Sequence, residues 1–186
     1  MNPSWCMGFP TGYETGRFLA LDMGGTNLRV CEVELPEEKG EFDITQSKYR
    51  MPEELKTGSG EELWDYIASC LQQFVEYHHE GETLDQIPLG FTFSYPATQD
   101  YIDHGVLQRW TKGFDIDGVE GHDVVPPFEN ALKETVCIWC SIWVCLGCFG
   151  CVYMRLALKT TGPNERPEHR VPSCVISRTL MTNPTV

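Results

Sequence analysis

The chain has 186 residues, of which 41% are hydrophobic and 22% charged, as expected for one soluble globular domain with a buried core. Its formal net charge is −13 at pH 7, which argues against a nucleic-acid partner because such binding needs a basic face. The first fifteen residues contain neither a basic segment nor an apolar run. No secretory signal is therefore predicted, and a cytoplasmic location is expected.

Charge and cysteine are unevenly distributed along the chain. Residues 1–134 hold 9 Lys and Arg against 25 Asp and Glu, whereas residues 135–186 hold 5 against 2. Six of the nine cysteines also lie after position 134. This break in composition predicts two regions, a folded one over residues 1–134 and a tail over residues 135–186.

The first region begins with a predicted three-stranded meander. Residues 17–22 (RFLALD) form a short apolar run, which predicts a first strand. Residues 28–35 (LRVCEVEL) alternate between apolar and polar side chains, which predicts a second strand. The Gly-Gly-Thr-Asn between them has the composition of a tight hairpin turn. Residues 41–51 complete the meander as a third strand.

Two helices and one further strand are predicted after the meander. Ser59 and Glu62 match a capping box, and the apolar residues behind them recur at helical spacing, which predicts a helix over residues 59–79. Residues 87–94 (IPLGFTFS) are a fourth strand, and a second helix is predicted after Pro126-Pro127. Three strands, a helix and a strand give an α/β order.

The turn within residues 22–29 (DMGGTNLR) is the most informative stretch. Gly24 and Gly25 are expected to turn the backbone with positive φ and to expose successive N–H groups to a phosphate. Thr26 adds a hydroxyl donor, and Asp22 at the strand end suits a hydrated magnesium ion. The alternative is an ordinary hairpin turn without a ligand.

Two later stretches also carry polar side chains suited to a ligand. Ser94 ends the strand in residues 89–96 (LGFTFSYP), at the strand end where α/β sheets usually bind ligands. Thr111 and Lys112 lie in residues 109–114 (RWTKGF), a loop that could bind sugar oxygens or a transferring phosphoryl group. The alternatives are a core strand with a turn serine and a solvated loop.

Taken together and in this order, these stretches resemble the hexokinase family. Residues 18–30 are similar to its first phosphate loop, and residues 89–96 to its sugar-binding signature. Residues 108–115 (QRWTKGFD) and 119–125 (VEGHDVV) are similar to the second sugar-contacting loop and the stretch after it, and residues 1–16 resemble the lead-in of fungal members. The resemblance covers about residues 2–134.

The resemblance implies a fold and an activity. The fold is α/β, comprising most of the small lobe of an actin-like, ribonuclease-H-like hexokinase, with a mixed sheet and flanking helices. The implied activity is transfer of the γ-phosphate of ATP, with Mg²⁺, to the 6-hydroxyl of glucose or a related hexose. No tightly bound cofactor and no protein-held metal site are implied.

The resemblance also assigns roles to individual residues. The ATP phosphates and magnesium would be met by residues of the first loop, with an arginine nearby: Asp22, Gly24, Gly25, Thr26, Asn27 and Arg29. The hexose hydroxyls would be bound by Ser94, Thr111 and Lys112. Lys112 would also stabilise the charge at the reacting oxygen.

The sequence departs from the family in one respect that bears on catalysis. The family's general base is an aspartate in an Asn-Asp dipeptide expected soon after residue 134, and no Asn-Asp occurs in the 186 residues. Loss of a general base costs about 10²–10⁴ in rate. We therefore expect a truncated, inactive chain, with a non-catalytic sugar-binding fragment as the alternative function.

The tail admits several interpretations. Its five closely spaced cysteines match a zinc-ligand pattern only loosely: Cys137, Cys140, Cys145, Cys148 and Cys151. Residues 136–154 contain no charge and are just long enough for a tail anchor in a membrane. The interpretation that best fits the break at Glu134 is sequence foreign to the family, from a retained intron or a shifted frame. Residues 160–186 are predicted to be disordered.

Overall fold

The structure is a computed structural model that describes residues 11–38, 40–79 and 87–135, and the backbone of one further strand at Cys151–Arg155. The predictions for residues 136–150 and 156–186, including the zinc, membrane and disorder interpretations of the tail, lie outside the described residues.

A mixed five-stranded sheet forms the centre of the fold. Strands β1 (Gly16–Met23), β2 (Asn27–Leu35) and β3 (Asp43–Arg50) form an antiparallel meander, as predicted to within about two residues at each end. Strand β4 (Pro88–Phe93) lies parallel to β1 on its other side. This parallel pairing brings the carboxyl ends of β1 and β4 together at one edge of the sheet.

The sheet contains a fifth strand where the sequence predicts none. The backbone of Cys151–Arg155, numbered β7 below, pairs antiparallel with β4, so the strand order is β3-β2-β1-β4-β7. The physical reason is that the outer edge of β4 presents unpaired N–H and C=O groups, which an extended segment can satisfy. The backbone of this tail segment therefore covers the edge of the sheet beside β4.

Helix α1 (Gly60–His78) confirms the predicted capping box. The Ser59 hydroxyl accepts a hydrogen bond from the Glu62 N–H at 3.2 Å, and the Glu62 carboxylate accepts one from the Ser59 N–H at 2.9 Å. These two bonds satisfy N–H groups that have no partner within the helix, and so fix its first residue.

The region after β4 is more regular than predicted. Two short strands, β5 (Ala97–Thr98) and β6 (Val106–Leu107), pair antiparallel in a small second sheet. Helix α2 (Val125–Thr135) begins before the two prolines rather than after them. Prolines are tolerated in the first turn because the N–H groups there need no intrahelical acceptor.

The main hydrophobic core lies between one face of the sheet and the two helices. It includes alternate residues of β1, aromatic residues of β4 and the apolar faces of α1 and α2: Leu19, Leu21, Met23, Phe91, Phe93, Trp64, Phe74 and Phe128. Phe18, Ala20, Cys31 and Val33 point to the opposite face and are also buried. The sheet is therefore a rigid base from which the loops at its edge project.

Among the described residues, no helix has both the length and the apolar character that crossing a bilayer requires.

Candidate functional site

The first loop of the candidate site joins β1 to β2. The N–H of Gly24 donates to the carbonyl of Asn27 at 3.0 Å, and the N–H of Met51, just after β3, donates to the carbonyl of Thr26 at 2.9 Å. The backbone is therefore braced, while the side chains of Thr26 and Asn27 make no hydrogen bond within the described part of the chain. Both side chains are free to meet a ligand.

The two glycines of this loop do not act as the sequence predicts. Neither Gly24 nor Gly25 has a positive φ, so the expectation of a left-handed turn is wrong. A Cβ on Gly25 would instead lie 2.9 Å from Cβ and 3.2 Å from Cδ of Lys112, whereas one on Gly24 would meet the Asn27 carbonyl at an ordinary 3.6 Å. Gly25 is needed because another loop crosses directly over it.

Asp22 is engaged by its neighbour across the hairpin. Asp22 and Arg29 are register partners in β1 and β2, and Nη1 of Arg29 lies 3.1 Å from Oδ2 of Asp22 in a partly exposed ion pair. A single carboxylate at a strand end fits Mg²⁺, which keeps most of its water and is held largely by phosphates. The described residues contain no group of three or more His, Cys, Asp or Glu that could hold a metal by themselves.

The end of β4 lies directly beside the first loop. The N–H of Ser94 donates to the carbonyl of Met23 at 3.4 Å, and the hydroxyl of Tyr95 donates to the carbonyl of Gly24 at 3.2 Å. Burial raises the pKa of the Tyr95 phenol, so its proton remains in place for this hydrogen bond. The Ser94 hydroxyl makes no hydrogen bond within the described residues and is open to a ligand.

The second loop carries Thr111 and Lys112 in an unusual backbone conformation. Lys112 has φ 58° and Gly113 φ 83°, and the N–H of Phe114 donates to the carbonyl of Thr111 at 3.2 Å. A left-handed lysine costs about 1–2 kcal/mol, so surrounding contacts must hold it there. Such strain is typical of residues whose side chain is positioned for a ligand.

The side chain of Lys112 connects all three stretches. Its Nζ donates to the carbonyl of Ser94 at 2.6 Å and stands 4.9 Å from the centre of the Tyr95 ring, while its Cβ and Cδ cover Gly25. The ammonium thus lies at the end of β4, over an aromatic face that favours a cation. The predicted phosphate loop, sugar signature and sugar loop are brought together by this one side chain.

An aromatic cluster supports the second loop from below. The Tyr95 ring lies 4.9 Å from that of Trp110 and 5.5 Å from that of Phe114, and the last two stack at 5.4 Å. The Trp110 indole donates to the Ile116 carbonyl at 3.0 Å, and the Glu120 carboxylate accepts from the Trp110 backbone N–H. The polar loop therefore packs on buried aromatic rings, and both N–H groups of Trp110 have hydrogen-bond acceptors.

The sequence did not single out Tyr95 or Glu120. A signal for Tyr95 exists, because Phe91, Phe93 and Tyr95 alternate and continue the core face of β4 beyond the end of the strand. Glu120 shows no such signal, since its partner lies ten residues away across a loop.

Cys31 lies on β2 close to the candidate site but is not a nucleophile. Burial, with a further contribution from Asp22, raises the pKa of its thiol to about 11. The thiol is therefore protonated at neutral pH.

Comparisons with known proteins match this chain to hexokinases. The family model described as hexokinase matches residues 1–145. Over 134 residues, 72% of this chain, it is 76% identical to the hexokinase of Emericella nidulans. It is 56% identical over 137 residues, 74% of this chain, to hexokinase-1 of Schizosaccharomyces pombe, and 45% identical over 135 residues, 72% of this chain, to hexokinase-1 of Bos taurus.

The chain spans only part of these relatives, namely 27% of the Emericella protein, 28% of the yeast protein and 14% of the bovine one.

Solved structures give the same result. A Schistosoma mansoni hexokinase in complex with glucose has a TM-score of 0.63 at 46% identity, covering 72% of this chain and 30% of that one. A second hexokinase crystal structure has a TM-score of 0.61 at 35% identity, covering 72% and 32%. The mixed α/β sheet is thus that of an actin-like hexokinase, as predicted, and the chain belongs to the hexokinase family.

Proposed function

We propose that residues 11–135 supply the hexose-binding side and the first phosphate loop of a hexokinase. The activity is transfer of the ATP γ-phosphate to the 6-hydroxyl of glucose or a related hexose. The observation that carries the proposal is the position of Lys112, whose Nζ lies 2.6 Å from the Ser94 carbonyl while its stem covers Gly25. One side chain thereby sets the hexose residues beside the phosphate loop, as phosphoryl transfer between them requires.

The proposed hexose contacts are Ser94, Thr111 and Lys112. The two hydroxyls are open to a ligand, and each can both donate to and accept from a sugar hydroxyl. The Lys112 ammonium would donate a hydrogen bond to a sugar oxygen, either in place of its bond to the Ser94 carbonyl or in addition to it. In support, one related structure contains glucose.

The proposed ATP contacts are the residues of the first loop. The backbone of Gly24 and Gly25 and the side chains of Thr26 and Asn27 would meet phosphate oxygens, and Asp22 would hold hydrated Mg²⁺ through its shell of water. Mg²⁺ would supply neutralisation of phosphate charge. Arg29 would orient the Asp22 carboxylate through their ion pair.

For the 186-residue polypeptide itself we propose hexose binding without turnover. The family's Asn-Asp dipeptide, which carries the general base, does not occur in this sequence. Positioned hydroxyls and an ammonium can bind a sugar, but without a base the attacking hydroxyl keeps its proton.

The proposal is tested by titrating the chain with D-glucose and L-glucose, following the backbone amides of Ser94, Thr111 and Lys112 by NMR. We expect these amides to shift with D-glucose only, and a coupled glucose-6-phosphate assay to stay at background. Thr111→Val should abolish the shifts, whereas Thr98→Val, on the exposed strand β5, should not. Equal shifts with both sugars would refute hexose binding, and turnover above background would refute inactivity.

The proposal includes a cytoplasmic location. The cysteines whose side chains the structure describes, Cys31 and Cys70, are both free and buried, which suits a reducing compartment. Fractionation of cells expressing the tagged chain checks this location, and recovery in the membrane pellet after carbonate extraction would contradict it.

A further inference from the structure

The peptide unit that joins Gly24 to Gly25 is hydrogen-bonded at one end only. Its carbonyl accepts from the Tyr95 hydroxyl at 3.2 Å, and no other donor in the described part of the chain bonds to it. Its N–H, which belongs to Gly25, has no acceptor among the described residues. The N–H of Gly24, by contrast, already donates to the Asn27 carbonyl at 3.0 Å. The Gly25 N–H is therefore the glycine donor of this loop that is open to a ligand.

The planar peptide bond makes the two ends of this unit move together. In a trans peptide the carbonyl oxygen and the amide hydrogen point in opposite directions and cannot turn independently. The hydrogen bond that fixes the Gly24 carbonyl therefore also fixes the Gly25 N–H, which points away from the Tyr95 hydroxyl. Gly25 is partly exposed, so a donor held in this direction can meet an oxygen of a bound anion.

The Tyr95 side chain is itself held firmly in place. It is only 4% exposed, and its ring lies 4.8 Å from that of Phe93, in addition to its contacts with Trp110 and Phe114. The Lys112 ammonium stands 4.9 Å from the ring centre. The position of the hydroxyl is thus set by packing before a ligand arrives, which reduces the ordering cost of binding.

We propose that Tyr95 is a positioning residue for phosphate binding. Its hydroxyl holds the peptide unit between Gly24 and Gly25 so that the Gly25 N–H donates to a phosphate oxygen of ATP. This role rests on the proposed function, in which residues 24–27 meet the ATP phosphates. Tyr95 acts through the Gly25 N–H and is assigned no contact with the nucleotide. A phenylalanine at this position keeps the ring but leaves the peptide unit free to tilt.

The probe for this role is ATP with Mg²⁺, titrated into the ¹⁵N-labelled 186-residue chain, with adenosine as the ligand that lacks phosphates. In the wild type the Gly25 amide proton should move downfield and saturate with ATP only, because a phosphate oxygen is a strong acceptor. In Tyr95→Phe the limiting shift of this proton should shrink, and Kd for ATP should rise about fivefold, as expected for one weakened hydrogen bond. The amide signals of residues 70–78 in α1 should keep their wild-type positions, which shows that the variant is folded.

Tyr66→Phe is the matched control. The Tyr66 hydroxyl also donates to a backbone carbonyl, that of Arg50, at 2.7 Å, so this variant loses the same kind of bond without affecting the Gly24 carbonyl. Its affinity for ATP should stay within about twofold of the wild type. Equal weakening by the two variants, or a Gly25 response in Tyr95→Phe that matches the wild type, would overturn the positioning role and leave the proposed function in place. No Gly25 response to ATP in the wild type would overturn the proposed phosphate contacts as well.

Discussion

The two loops of the candidate site reach neighbouring positions by different physical means. The register of the hairpin between β1 and β2 determines the conformation of the first loop, residues 24–27. Neither of its two glycines has a positive φ. The second loop, residues 110–114, contains two consecutive left-handed residues and is held by buried aromatic rings. The first is specified locally, whereas the second depends on tertiary packing.

This difference indicates which loop is the more fragile. A hairpin register is maintained by many backbone bonds, so a side-chain change in the first loop has a limited effect. The second loop stores strain at Lys112, which is opposed by the rings beneath it, by the hydrogen bond from its Nζ to the Ser94 carbonyl and by its packing over Gly25. The changes with the largest effect should therefore lie under the second loop.

The largest effect is expected from Trp110→Ala. This change removes a buried ring that contacts both Tyr95 and Phe114, and should lower the free energy of unfolding by about 3–5 kcal/mol. Urea denaturation measures the change. Tyr101→Ala, which truncates a ring that is 65% exposed, is the control and should change stability by less than about 0.5 kcal/mol.

A smaller effect is expected from Gly25→Ala in the first loop. The added methyl would lie 2.9 Å from Cβ of Lys112, so the second loop must shift, at a cost of about 1–3 kcal/mol. Gly24→Ala is a matched control, because its methyl meets only an ordinary 3.6 Å contact. Similar losses of stability for the two variants would mean that the loops do not touch as described.

Tyr95→Phe tests the hydrogen bond between the end of β4 and the first loop. The ring is kept and only the hydroxyl that donates to Gly24 is lost, so stability at neutral pH should fall by about 1 kcal/mol. Burial raises the pKa of this phenol above its unfolded value of about 10, so its contribution is present below that pH and is lost as the pH rises further.

The variant should therefore lose less stability than the wild type between pH 10 and 11, measured by denaturation at each pH. Tyr66, whose pKa burial raises to about 12, remains in both proteins and contributes equally. If the free energy of unfolding of the two proteins falls equally with rising pH in this range, the loss of stability does not come from Tyr95.

The smallest effect is expected from Arg29→Gln. The Asp22–Arg29 pair is partly exposed, so its loss should change the free energy of unfolding by less than about 1 kcal/mol. The same variant should leave the glucose-dependent amide shifts unchanged, since Arg29 is assigned to the phosphate side. Loss of those shifts would place Arg29 on the hexose side instead.

Local patterns in the sequence were sufficient to predict strands β1 to β4 and the capping box of α1. Apolar alternation located β1 and β2, and the Ser59-Glu62 pair located α1, because both signals depend on near neighbours. The contacts that assemble the site span long separations, such as the 71 residues between Gly24 and Tyr95. No local pattern encodes these contacts. The sequence therefore predicted a positive φ at Gly25 and did not predict that Lys112 lies directly over it.

The most direct test of the account is a double-mutant cycle between Gly25→Ala and Lys112→Gly. Lys112→Gly removes the Cβ and Cδ atoms over Gly25, and a glycine adopts the left-handed φ of 58° without strain. If the loops meet as described, Gly25→Ala should become nearly neutral in this background, with a coupling of about 1–3 kcal/mol. Additivity within about 0.5 kcal/mol would show that the two loops are independent, and would contradict the account.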